Sequence, residues 1–182
     1  MTRTGSRLDE IRDAIATASW FAAVGEAWTA ADLSEAEGYA DALQLGTLGI
    51  AAVHGWHDAA RIIQDTGWSH AWWDAEERRR QDAMRTAERL LDRHAVLSML
   101  SSVMAQSGDL VHGKAALAAA RAGVADPALT RVAAGAAAMA CHHFALAVIV
   151  GAPEDHPFRI KFRLFAAGRW PLCVIEQTLH LF

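Results

Sequence analysis

DPALTRVAAGAAAMACHHFALAVIVGAP, residues 126–153, decides the architecture of this chain. Its proline follows a capping aspartate, at the first position of a helix, where a missing N–H costs nothing. Gly151 and Pro153 close the segment. Between them Leu129, Val132, Ala136, Met139, His143, Leu146 and Val150 recur at steps of three and four, which places them on one helical face. No residue from Val132 to Pro153 carries a formal charge at neutral pH, and that length could span a bilayer. The segment is rich in alanine rather than leucine, however, and holds His142 and His143 near its middle, where polar groups are expensive in lipid. A buried core helix in a protein without a membrane span is the reading.

Upstream, Asp109 caps a helix that ends at Gly123, and the short link to Asp126 makes the two helices antiparallel neighbours. Ser69 caps a longer helix reaching about Gln106 and closed by Gly108. Its first half reads as solvated and held by Asp74–Arg78, Glu76–Arg80 and Arg78–Asp82 pairs. Its second half carries another stripe: Ala83, Ala87, Leu90, His94, Leu97, Ser101, Met104. A first helix covers about Ser6–Ala23, with Leu8, Ile11, Ile15, Ala18 and Ala22 inward. Ser34 and Glu37 form a capping box for a helix ending near Gly46, and a further helix covers Trp56–Asp65. Thr47–Gly55 fits neither pattern cleanly. Phe158–Leu164 alternates like a strand, yet Pro157, Gly168 and the shared face of Phe158, Phe162 and Phe165 favour a helix. Leu172–Phe182, after Pro171, allows a terminal strand or hairpin. The expected fold is all-α, one domain over residues 1–182 with about six helices and room for a small C-terminal β element.

With 182 residues, 53% of them hydrophobic and 21% charged, the chain can bury a sizeable core and is not of disordered composition. A net charge of −4 offers no electrostatic footprint for nucleic acid. The basic run Arg159, Lys161, Arg163 and Arg169 could meet an acidic partner or phosphate, but it lacks interleaved stacking aromatics. Cys141 and Cys173 have neither zinc spacing nor a disulfide framework and read as reduced structural thiols. Residues Met1–Glu10 lack the apolar core and cleavage site of a secretory leader. A cytoplasmic protein is the expectation.

Chemistry is hinted at by the histidines. An imidazole in an apolar stripe must find a hydrogen-bond partner, a ligand or a metal. If the helices from Ser69, Asp109 and Asp126 pack together, His94, His143 and His112 could converge on a transition metal. Alternatively each core histidine is satisfied locally, with Ser98 within reach of His94. A di-iron carboxylate centre needs Glu-x-x-His pairs, and the sequence has none. His54, His57 and His70 form a second cluster around Gly55-Trp56, and neighbours His142 and His143 point about 100° apart and cannot serve one interior site. There is no phosphate loop, dinucleotide fingerprint, GxSxG elbow or HExxH motif. Seven tryptophans are many for this length, and Trp68, Trp72 and Trp73 bracket one helix start, where at least one lies at an edge. Such an edge marks a ligand or cofactor pocket, for which Trp68 and Trp72 are the candidates, or a subunit interface. Two functions follow. One is a non-enzymatic helical module that binds a protein partner and self-associates as a homo-oligomer. The other is a bundle holding a metal or small cofactor at core histidines, with catalytic use left open.

Overall fold

The computed structural model describes residues 3–182 and bears out a mostly helical fold with a small C-terminal sheet. Among the described residues there are seven helices: α1 (Arg3–Thr17), α2 (Ala30–Ala42), α3 (Trp56–Ile63), α4 (His70–Leu90), α5 (Arg93–Arg121), α6 (Pro127–Val150) and α7 (Pro157–Ala166). Strands β1 (Gly49–Ala52), β2 (Pro171–Ile175) and β3 (Thr178–Leu181) form one sheet in the order β1-β3-β2. The ambiguous Thr47–Gly55 segment resolves as β1, parallel to β3, while β2 and β3 form the antiparallel hairpin. One buried cluster draws residues from all the helices and from the sheet.

α6 is the central helix. Asp126 Oδ1 accepts from the backbone N–H of Ala128 and Leu129, Pro127 fills the first turn, and Gly151 ends it in the left-handed region at φ 67°. It is also the one helix among the described residues long and apolar enough to cross a membrane by length and composition, and 67% of its most apolar stretch is buried inside the fold. Its buried face is not the predicted stripe throughout. Ala133, Ala137, Ala140, Cys141 and Phe144 face inward, whereas Val132 and Met139 face outward. Small residues let α5 and α7 approach closely, so alanines take the inner positions.

Several boundaries differ from the sequence reading. The helix opened by Ser69 stops at Leu90, where Leu91 is extended (φ −136°, ψ 157°) and Asp92 caps a new helix through Ala95 N–H. The apolar stripe was counted across this break, and the break resets the helical phase. The buried face of α5 is Val96, Met99, Leu100, Val103, Ser107, Val111, Ala115 and Ala119, and it runs straight through Gly108. A lone helical glycine costs about 1 kcal/mol against alanine, less than this continuous packing face supplies. α2 starts at the Thr29/Asp32 capping box rather than at Ser34 and ends at Ala42, short of Gly46, and α1 ends at Thr17, leaving Ala22 exposed.

The segment between α1 and α2 is irregular but anchored. Arg169, buried, donates to the carbonyls of Ala23, Glu26 (2.9 Å) and Ala27 (2.7 Å) and to Asp32 Oδ2 (3.0 Å). Gly168, at φ 88°, crosses this segment so closely that a Cβ there would stand 2.7 Å from Ala23 N. Trp20, Phe21, Phe165, Trp170 and Phe182 pack around the same junction, with Phe21 edge-on to both Phe165 and Trp170.

Candidate functional site

α2, α4, α6 and α7 meet around a buried polar cluster, and its centre is Glu76. This residue stands one turn into α4 from Trp72, on the inward face. Lys161 of α7 donates to Glu76 Oε1 at 2.6 Å, and the Tyr39 hydroxyl of α2 donates to the same oxygen at 2.5 Å. The Trp72 indole N–H in turn donates to the Tyr39 oxygen at 2.9 Å. The Lys161 ammonium also lies 5.5 Å from the Trp72 ring centroid and 5.9 Å from that of Tyr39. Both known bonds to Glu76 fall on Oε1, so Oε2 accepts none among the described residues.

His143 of α6 completes the cluster. It is only 4% exposed, its ring stacks on Phe158 at 4.1 Å and 13°, and its Nδ1 has no hydrogen-bond partner. His143 and Glu76 line one small cleft of about 100 Å³ between α4 and α6. Trp73 and Met139, 61% and 45% exposed, flank it, and Glu77 and Arg80 complete the wall. Arg80 is committed to Glu77 through two bonds of 2.7 and 2.6 Å.

The electrostatics follow from burial. Dehydration pushes the Glu76 carboxyl up, but the Lys161 ammonium and the hydrogen bonds from Lys161 and Tyr39 outweigh it, and the group sits below its ordinary range. Burial, reinforced by the Glu76 charge, raises the Tyr39 phenol well above its usual value. Burial first and the Lys161 charge second bring His143 down to about 3, so the imidazole is neutral at physiological pH. The cleft floor therefore carries a carboxylate and a neutral imidazole, while the nearby cations are occupied.

Several predicted residues lie elsewhere. His94 is exposed at the start of α5, a correction that follows from the break at Leu91–Asp92. His112 is also exposed, near the middle of what is one long helix rather than in the first turn of a new one. Of the trio only His143 is buried, and no group of three or more His, Cys, Asp or Glu side chains gathers at metal-binding range among the described residues. Trp72 is buried inside the polar cluster, whereas the partly buried Trp68 donates to the Ile62 carbonyl at 3.2 Å and packs against Trp72. The predicted edge tryptophan is Trp73. The basic run is paired within the protein, and only Lys161 and Arg169 are buried: Lys161 pairs with Glu76, Arg163 with Glu35 at 3.0 Å, Arg159 with Glu154 at 3.0 Å, and Arg169 with Asp32.

Glu76 itself was missed. Its spacing from Arg80 read as a solvated pair, but Arg80 binds Glu77 instead and Glu76 faces the core. The signal that could have found it is the step of four from Trp72 to Glu76, which continues through Ala83 and Ala87 on the buried face. No protein family profile matches the chain, and no curated protein or solved structure matches it either.

Proposed function

We propose that this chain is a non-catalytic helical module that holds a small amine in the cleft between α4 and α6. The observation that carries this reading is the buried, unpartnered His143 beside a Glu76 whose second oxygen accepts no bond. The donors nearby, Lys161 and Arg80, are spent on Glu76 and Glu77. The Glu76 carboxylate is acceptor-only, so a ligand that meets it must donate, and the neutral His143 ring brings one acceptor and one donor nitrogen. An ammonium group meets the Glu76 carboxylate, and its short apolar body rests between the Trp73 ring and the Met139 thioether.

The size of the cleft limits the affinity. At a ceiling of about 1.5 kcal/mol per heavy atom, a three-atom amine binds no tighter than roughly millimolar. The test is an NMR titration of the full chain with ethylammonium chloride, against potassium chloride at equal ionic strength and against ethanol. Saturable shifts at the Trp73 indole and around Met139 and His143, seen with the amine and weakened several-fold in Trp73→Ala, support the proposal. Shifts equal to those of the salt control, or unaffected by Trp73→Ala, overturn it.

A second reading rests on the same edge. Trp73, Met139 and Val132 leave an exposed apolar strip along α4 and α6, and large exposed aromatic area is characteristic of partner-binding surfaces. In this reading a second copy of the chain or another protein seats on Trp73 and closes the cleft. Sedimentation velocity over a wide concentration range separates the two: association abolished by Trp73→Ala favours the interface, and a monomer at all concentrations removes self-association.

A further inference from the structure

A second cavity, of about 590 Å³, shares no residue with the α4–α6 cleft. Its walls are the irregular segment after α1, the start of α3 and the last turns of α5. Arg169 fixes the first wall by its bonds to the carbonyls of Ala23, Glu26 and Ala27. Gly25, at φ 79°, holds that wall against α3, since a Cβ there would come to 3.2 Å from the His54 carbonyl. The cavity is thus built before any ligand arrives, and its volume falls in the usual range for small-molecule sites.

Its polar lining is mostly basic. Lys114 and Arg121 stand seven residues apart on one face of α5 and make no ion pair among the described residues. His54 and His57 face them from the start of α3, and Glu26 is the one acid in the lining. Leu117, exposed between the two α5 cations, supplies an apolar rest. The arginines and lysine of α7, by contrast, are paired with carboxylates of the protein itself.

We infer that this cavity is a binding site for a small phosphate monoester with an apolar body. The guanidinium fork of Arg121 and the Lys114 ammonium take the phosphate oxygens, His54 and His57 add donors from the opposite wall, and the body lies on Leu117. The two α5 cations match the double negative charge of a phosphate monoester, whereas a carboxylate carries a single charge.

The experiment is an NMR titration of the full chain with phenyl phosphate at fixed low ionic strength, with benzoate and inorganic phosphate as parallel arms. Phenyl phosphate saturates, binds more tightly than either of the other two, and shifts signals of residues 19–26, 54–57 and 114–124. Lys114→Gln with Arg121→Gln weakens it about tenfold or more, as the loss of charge-assisted bonds requires, with an unchanged melting temperature because both side chains are exposed. Leu117→Ala erases the preference for phenyl phosphate over inorganic phosphate. Equal binding of benzoate, shifts that do not saturate, or undiminished affinity in the double variant overturns the proposal.

Discussion

Replacing Lys161 with methionine removes one half of a buried ion pair while keeping the length of the side chain. Both partners are 8% exposed and their contact is 2.6 Å. At an effective dielectric constant of about 20, that separation corresponds to about 6 kcal/mol of attraction, most of it offset by dehydration of the two ions. Deleting the cation leaves the dehydration of Glu76 with only the Tyr39 hydroxyl against it. The expected loss is about 3–5 kcal/mol at pH 7, which for a chain of this length is roughly 6–20 °C in melting temperature.

The pH dependence makes this prediction specific. In the native protein Glu76 lies below its ordinary value, so its contribution is present above the unfolded carboxylate range and is lost as pH falls through the folded value. Without Lys161, burial acts unopposed by that cation and the folded value rises above the unfolded one. The variant then gains stability relative to the native protein as pH falls, and its penalty shrinks between pH 7 and pH 5. Urea unfolding of both proteins at several pH values measures this directly. Lys161→Met combined with Glu76→Gln removes the titrating group and gives a penalty flat in pH. A penalty below about 1 kcal/mol at pH 7, or one unchanged between pH 7 and 5, would refute the buried-pair account.

Three further outcomes are expected. His143 titrates far below the unfolded histidine range, so acidification from pH 6.5 protonates the unfolded chain first and costs the native state on the order of a few kcal/mol by pH 4; His143→Leu removes that slope in urea midpoints against pH, and an identical slope contradicts it. Arg169→Met leaves Asp32 buried and three carbonyls without their donor, and hydrogen exchange should show lost protection over residues 19–27 before any loss in α6; unaltered exchange there counts against the anchor. Burial pushes the Cys141 and Cys173 thiols up to about 12, so neither should react with a thiol reagent at pH 8 until the protein is unfolded, and rapid native labelling of either would show its surroundings to be misplaced.

Where the sequence reading succeeded, a local signal agreed with packing. Asp126-Pro127 and Gly151 delimit α6 because capping and left-handed geometry are properties of those residues themselves. The shared face of Phe158, Phe162 and Phe165 gave α7, since all three are buried against neighbouring helices. The failures arise where two local signals competed and only tertiary contact could choose. Asp109 reads as a cap, yet the cap is Asp92, because the residues after Gly108 continue the buried face of α5, whereas no common face joins Ala87 to Val96.

The same competition explains the site. His94 and His143 occupied equivalent places in two periodic stripes, yet two residues of broken helix turned one to solvent and left the other 4% exposed. Glu76 carried a salt-bridge spacing to Arg80, but a neighbouring glutamate at i−3 captured that arginine and freed Glu76 for the interior. A glutamate can be inward on an apolar face only if a distant residue supplies its counter-charge, and Lys161 lies 85 residues away. That pairing leaves a helix-period trace at each end: Trp72, Glu76 and Ala83 on α4, and Phe158, Lys161 and Phe165 on α7. Two opposite charges, each alone on a buried stripe, are a sign of contact between their helices, because either one without the other would be a buried charge with no counter-ion.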